Sequence, residues 1–293
     1  MVKFSPVIQP LPNLFPGKPV VSVLGLHTIH PIISGNKWFK LAPYIQAAKN
    51  AGCHKIITAG GAYSNHIIAT ARAARDAGML SSAYIRGEEP QMLSPTLLDA
   101  KRDGMELVFL NRRSFADLNL PPGPIPGTGH YFIPAGGKGK LGVVGSASII
   151  ASTHCNSFSH IAGACGTGTM IAGLQYAATS FQKIIGISVL KNLPEPLPSI
   201  RQELEGLNCN RLPEIFHFAY GGYAQPHPVV LAFMQEAWEK ERLPLDFVYT
   251  GKLFCAIRQL REEEFFPREA TILLIHSGGL QGNRSLPEGS LPF

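Results

Sequence analysis

Lys37 and Lys40 stand three residues apart in SGNKWFKL, after a Ser-Gly-Asn turn and at the start of a helical pattern. That spacing puts both ammonium groups on one helical face. There they repel each other, and they sit badly against the partial positive charge of a helix N-terminus. The pair makes chemical sense if one lysine is held as an imine and the other faces a phosphate. Two solvated surface lysines would show the same spacing. GGAYSNH, residues 60–66, sets two glycines before Ser64 and Asn65, which open a helix whose N-terminus favours an anion. GACGTGTMIAGL, residues 163–174, follows an apolar run. Around Cys165, Gly166, Thr167, Gly168 and Thr169 its amide and hydroxyl donors suit a phosphate. DFVYTGK, residues 246–252, and LIHSGG, residues 274–279, bring Tyr249, Thr250 and Ser277 to strand ends among small neighbours. Taken singly, each segment also reads as an ordinary turn, helix cap or strand end. No Walker lysine follows the 163–174 loop and GxGxxG spacing is absent, so ATPase and dinucleotide-binding readings find no support.

The elements that must position these residues alternate in type. Strands are predicted over 20–24, 55–59, 80–85 and 105–110, and helices over 36–50, 64–77 and 94–102. Ser64 reads as a helix N-cap and Gly78 as a stop. Residues 120–129, LPPGPIPGTG, read as irregular. After a strand at 132–134 the alternation resumes, with helices over 145–155, 169–179, 226–241 and 252–264. Strands are predicted between them over 160–164, 184–190, 247–250 and 271–276, and residues 191–220 read as a looser polar segment. This order is that of a parallel α/β sheet, which places ligands at the carboxyl ends of its strands. Two α/β units meet near residues 125–145.

Composition narrows the class. A chain of 293 residues with 45% hydrophobic content can bury one or two cores. Its 30 glycines and 24 prolines are scattered, which excludes collagen-like and simple linker readings. The net charge of +6 comes without any long Lys/Arg cluster, so no nucleic-acid partner is expected. Cys53, Cys155, Cys165, Cys209 and Cys255 form no CxxC pair, so no metal site is expected, and they read as reduced thiols of a cytoplasmic protein. No signal-peptide core or apolar run of membrane-span length is present, so no membrane association is expected.

In their order and spacing together, the five segments resemble the 1-aminocyclopropane-1-carboxylate deaminase/D-cysteine desulfhydrase family. That family lies in the tryptophan synthase β-like, fold type II, group of enzymes that use pyridoxal 5'-phosphate (PLP). The resemblance runs from about residue 32 to residue 279. It implies a two-domain α/β fold, with open, twisted parallel sheets flanked by helices and PLP in the interdomain cleft. A large domain of residues 1–47 with 142–293 and a small inserted domain of 48–141 are expected. The resemblance also implies a small amino-acid substrate and a homodimer.

Carried over position by position, the resemblance makes Lys37 the lysine that holds PLP as a Schiff base and Lys40 the phosphate-side lysine. Asn65 matches the asparagine that hydrogen-bonds the ring 3'-oxygen. Ser64 matches the serine that contacts the substrate carboxylate or moves a proton. Gly166 to Thr169 stand where the phosphate loop stands, and Tyr223 and Tyr249 match two active-site tyrosines. Deaminases of the family carry glutamate after the second tyrosine and leucine after the histidine of the last glycine pair. Thr250 and Ser277 stand there here, as in the desulfhydrases. A hydroxyl beside the ring nitrogen favours an unprotonated ring and a weaker electron sink, which suits loss of a β-thiolate better than opening of a cyclopropane. The expected activity is β-elimination of D-cysteine. Deamination of 1-aminocyclopropane-1-carboxylate, elimination or racemisation of another small amino acid, and non-catalytic PLP or metabolite binding are the alternatives. The chain departs from the family pattern in VLGLHTIHPIIS, which replaces a KRED-like stretch, in PAGGKGKLG, which lacks an asparagine, and in GTGT, which replaces GSGGT.

Overall fold

Strand His160–Cys165 is buried at every position, as expected of an apolar run deep in a parallel sheet. It belongs to a computed structural model that describes residues 6–189, 195–222 and 224–293. In chain order come Ile8–Pro10 (β1), Val20–Gly25 (β2), Asn36–Asn50 (α1), Lys55–Gly60 (β3), Asn65–Asp76 (α2), Leu80–Arg86 (β4), Pro95–Arg102 (α3) and Met105–Leu110 (β5). Next are Arg112–Ala116 (α4), Gly123–Ile125 (β6), His130–Ile133 (β7), Lys140–Ala151 (α5) and His160–Cys165 (β8). The rest comprises Thr169–Ala177 (α6), Lys183–Ser188 (β9), Pro196–Glu205 (α7), Glu214–His217 (β10), Pro228–Glu241 (α8), Thr250–Glu262 (α9) and Thr271–His276 (β11).

These elements form two compact units. One comprises Met1–His30, Ser34–Asn36 and Ser146–Phe293. Its six-stranded sheet has the order β1-β2-β11-β8-β9-β10, parallel except for β1 at the edge. Val23, Ala162, Ile185 and Leu274 of this sheet share a core with Phe233 of α8 and Phe254 of α9. The other unit comprises Pro31–Ile33 and Lys37–Gly145. Its five-stranded sheet has the order β5-β4-β3-β7-β6, parallel except for β6 at the edge. Leu41 and Tyr44 of α1 pack with Ile56 and Ile133, and Ile67 and Ala71 of α2 pack with Ile85 and Leu97. Both sheets are thus mixed, with a parallel body and one antiparallel edge.

The N-cap read at Ser64 operates, and Ser94, read as the first helical residue, is a cap as well. Ser64 caps α2 by accepting from the His66 amide at 3.2 Å, and Ser94 caps α3 by accepting from Leu97 at 3.2 Å. Elsewhere the structure corrects the reading. Residues 120–129 contain β6, where Pro124 is tolerated because an edge strand pairs on one side only. Residues 247–249 form a turn that leads into α9, so Tyr249 is a helix N-cap residue and not a strand end. The polar segment 191–220 holds α7 and β10, and β1 and α4 were not expected at all.

Helix α5 starts at Lys140, earlier than its glycines suggested, and ends at Ala151. Pro43 inside α1 has no N–H to give the Phe39 carbonyl. A Cβ on Gly145 would lie 2.2 Å from that carbonyl oxygen. Gly145 therefore marks a close helix approach where the sequence suggested a helix start. Among the described residues, no helix is long and apolar enough to cross a membrane, and no cluster of His, Cys, Asp or Glu is arranged to hold a metal.

Candidate active site

In the Lys37–Gly145 unit, α1 presents Lys37 and Lys40 from its first turns. Lys40 is buried and donates to the Gly136 carbonyl at 3.3 Å. One turn later Tyr44 donates to the Lys138 carbonyl at 2.5 Å, so α1 is fastened along one face to the 136–138 turn. Gly137, at φ 69°, leaves open a point 3.4 Å from Lys40 Cβ and 3.8 Å from His66 Cε1. At the start of α2, Ser64 spends a lone pair on the His66 amide and keeps its own proton to donate. The Asn65 side-chain oxygen is buried with no hydrogen-bond partner among the described residues. Behind it His66 is fully enclosed. Burial, with added repulsion from Lys37 and then Lys40, holds its pKa well below the usual histidine value.

In the other unit, the loop after β8 carries Cys165, Gly166, Thr167, Gly168 and Thr169 into α6. Gly168 is the N-cap at φ 86°, a left-handed conformation that glycine adopts readily. A Cβ at Gly168 would also meet Ile200 of α7 at 2.7 Å. The Thr169 hydroxyl donates to Glu203 Oε1 at 3.2 Å and lies 3.4 Å from the Thr167 hydroxyl. The Tyr249 ring lies against Gly166, 3.4 Å from the point where a Cβ would stand. Loop 165–169 and Tyr249 are therefore brought together.

Tyr249 is held from below. The buried Asp246 carboxylate accepts from the amides of Val248 at 3.0 Å, Tyr249 at 2.7 Å and Thr250 at 2.9 Å, and from the Thr250 hydroxyl at 2.6 Å. Burial raises the Asp246 pKa against the pull of these donors. The Thr250 hydroxyl in turn accepts from the Asp246 amide at 2.8 Å. Lys252, wholly buried, donates to the carbonyls of Ala219 at 2.7 Å and Gly222 at 2.5 Å. At the end of β11 the Ser277 carbonyl accepts from the Asn36 amide at 3.1 Å.

The residues read from the sequence thus fall into two sets. Lys37, Lys40, Ser64 and Asn65 belong to one unit, and residues 165–169, Tyr249, Thr250 and Ser277 to the other. Tyr223 lies outside the described residues. The sequence reading missed Thr58, His66, Glu203, Asp246, Lys252 and His276 as partners of these groups. Asp246 alone had a local signal, an acidic residue four positions before a threonine at a helix start.

The residues present fit PLP. In one unit a buried side-chain amide at Asn65 with an unmet polar atom and a buried ammonium at Lys40 suit a polar ring and an anion, and in the other a Gly-Thr helix start suits a phosphate dianion. Lys37, three residues before Lys40 in α1, is an amine for an aldehyde.

Two mixed sheets flanked by helices, one to each unit, are the architecture of the fold type II PLP enzymes. A solved structure described as an ACC deaminase homologue superposes with a TM-score of 0.81 at 26% identity, over 96% of this chain and 91% of that one. A PLP-dependent aspartate racemase superposes with a TM-score of 0.68 at 14% identity, a likeness of fold alone. No family model matches the chain. A provisionally named 1-aminocyclopropane-1-carboxylate deaminase of Pyrococcus horikoshii is 30% identical over 272 residues, covering 85% of this chain and 81% of that protein. A D-cysteine desulfhydrase of Klebsiella pneumoniae is 27% identical over 272 residues, covering 84% and 82%. The chain belongs to the 1-aminocyclopropane-1-carboxylate deaminase/D-cysteine desulfhydrase family. Membership implies PLP as its cofactor and lyase-type chemistry on amino acids.

Proposed function

We propose that this protein is a PLP-dependent lyase that eliminates sulfide from D-cysteine. With one water consumed, the products are pyruvate, hydrogen sulfide and ammonia. The observation that carries the reading is the pair of hydroxyl residues, Thr250 after Tyr249 and Ser277 after His276, where the family's deaminases carry glutamate and leucine. The 30% identity to a protein named for deaminase activity favours 1-aminocyclopropane-1-carboxylate as the second reading.

PLP, when bound, supplies the electron sink that lets an α-proton leave and a β-substituent depart. In this reading Lys37 would hold the cofactor through its amine, and Nζ is the atom that would carry the α-proton. Lys40 and the amides of residues 166–169 would hold the phosphate. Asn65 meets the ring oxygen, which requires its amide to present the nitrogen where an oxygen now has no partner. Ser64 donates its free proton to the substrate carboxylate. Tyr249, seated on Gly166 and anchored by Asp246, donates a proton to the departing thiolate as the C–S bond breaks. Tyr223 is proposed as the second tyrosine. The proposed assembly is a homodimer, and the proposed substrate is a small amino acid.

Sulfide release from D-cysteine by the PLP-loaded protein, corrected for spontaneous loss, tests the assignment. Rapid release supports it. No release with cofactor demonstrably bound removes D-cysteine, and turnover of 1-aminocyclopropane-1-carboxylate would then support the second reading. Lys37→Ala should abolish the lysine-bound cofactor's absorbance.

A further inference from the structure

We propose that His66 is a positioning residue for Lys37, a neutral imidazole whose Nδ1 lone pair is reserved for the lysine's ammonium. The proposal rests on the reading of Lys37 as the cofactor lysine. The tautomer follows from the hydrogen bonds behind the ring. The Thr58 hydroxyl donates its only proton to the Ile133 carbonyl at 2.7 Å, so it can only accept from His66 Nε2, which lies 2.8 Å away. The Thr70 hydroxyl is farther from Nε2, at 3.5 Å. With the proton on Nε2, Nδ1 is an acceptor. It is buried and has no hydrogen-bond partner among the described residues, in a ring only 1% exposed. A buried acceptor left unmet calls for a donor.

The charged groups that reach the ring are the ammoniums of Lys37 and Lys40 on α1. Strand β3 contributes the Thr58 hydroxyl. The 135–137 turn contributes the Gly136 carbonyl, which already takes Lys40, and the open point over Gly137. Lys40 is drawn to the Gly136 carbonyl at 3.3 Å, so Lys37, three residues earlier on the same face of α1, is the donor assigned to Nδ1. Burial, with repulsion from both ammoniums, keeps the imidazole neutral, so it accepts a hydrogen bond without taking the proton. An acceptor on an ammonium favours the charged form and raises the lysine's pKa. The contact therefore sets the pH at which Lys37 becomes a free amine. It also keeps a substrate-derived proton on Nζ during turnover.

The test uses the full chain freed of cofactor, with PLP added at a series of pH values, and borohydride trapping of the lysine adduct read by mass spectrometry. Addition to the aldehyde needs the free amine, so trapping rises as Nζ loses its proton to solvent. His66→Gln keeps a polar group for Thr58 and removes the Nδ1 acceptor. Its trapping midpoint should fall by about one pH unit, a tenfold gain in free amine below the midpoint. His66→Asn keeps a polar group near Nδ1 and should shift less. Thr58→Val removes the tautomer lock and should move the midpoint in the same direction as His66→Gln. Unchanged midpoints in both His66→Gln and Thr58→Val would overturn the role of His66. Trapping that persists undiminished in Lys37→Ala would instead overturn the reading of Lys37.

Discussion

The Ser277 carbonyl oxygen occupies the place where a side chain on Gly35 would begin: a Cβ built there would stand 1.8 Å from it. The same oxygen accepts the Asn36 amide at 3.1 Å. Gly278 completes the contact from the other side, with φ 80° and Gly35 Cα 2.8 Å from its missing Cβ. The turn that leads into Lys37 is thus fastened to the end of β11 by backbone packing that any side chain would break.

Gly35→Ala should act on Lys37 from two residues away. Gly35 sits at φ 67°, where an L-residue pays about 1–2 kcal/mol, and the new methyl must also displace the Ser277 carbonyl. Displacing the start of α1 by an ångström or so should slow covalent capture of PLP by about tenfold to a hundredfold. Stopped-flow absorbance of the apoprotein mixed with PLP reads this directly. Normal capture by a stably folded variant would mean that the end of β11 yields without moving Lys37.

The Asp246–Thr250 pair makes a second, separable prediction. Thr250→Val keeps the shape but strips Asp246 Oδ2 of its 2.6 Å hydroxyl donor and leaves the Asp246 amide without an acceptor. Leaving such groups unmet in a buried site costs about 1–3 kcal/mol. Thr250→Ser should recover most of this. Urea unfolding of the three proteins measures the difference. Equal stability of the valine and wild-type proteins would show that the Asp246 cap holds Tyr249 without the hydroxyl.

Lys252 predicts an alkaline effect. Burial lowers its pKa from 10.5 to about 8, against the opposing charge of Asp246. Between those two values the unfolded chain binds more protons than the folded one, so this group's contribution to stability rises with pH. The neutral amine still has two N–H groups for the carbonyls of Ala219 and Gly222, so the clamp outlasts the charge. The stability of wild type relative to Lys252→Met should therefore grow as pH climbs from about 8 towards 10.5. Denaturant titrations at several pH values test this. A difference that stays flat or shrinks contradicts it.

Much of this arrangement was legible in the sequence because local rules decided it. Helix α1 and strands β5 and β11 have the predicted ends, and Ser64 and Ser94 start helices by capping amides two and three residues away. The failures share a cause, which is that a partner outside the hydrophobic pattern, distant or near, overrides it. Gly145 looked like a helix boundary, but its bareness serves the close approach of the Phe39 carbonyl, to which Pro43 has no N–H to give. Residues 247–250 have the apolar and aromatic character of a strand, yet the Asp246 carboxylate gathers three amides and turns them into a helix start. The supporting partners Thr58, His66 and Lys252 were invisible because their roles depend on which carbonyl or hydroxyl the fold sets opposite them.

His27 and His276 should make the protein acid-sensitive in a definite window. Their rings are 4.1 Å apart, centre to centre. His276 donates from Nε2 to the Pro244 carbonyl at 2.7 Å, so its Nδ1 must be the acceptor for the Gly278 amide at 3.3 Å. Both nitrogens are spent in the neutral form. Burial lowers the His276 pKa from 6.5 to about 4, and burial with repulsion from His276 lowers that of His27 to about 3. As pH falls below 6.5 the unfolded chain takes up protons that the folded chain refuses, so stability is held above 6.5 and lost on the way down towards 4. Each histidine adds up to about 1.4 kcal/mol of loss per pH unit in that window. His276→Gln keeps a donor for Pro244 and removes one of the two titrating groups. The slope of unfolding free energy against pH between about 6.5 and 4 should fall by about 1.4 kcal/mol per unit in this variant. An unchanged slope would mean that His276 is protonated in the folded protein, and that its bond to Gly278 is broken in acid before the fold is lost.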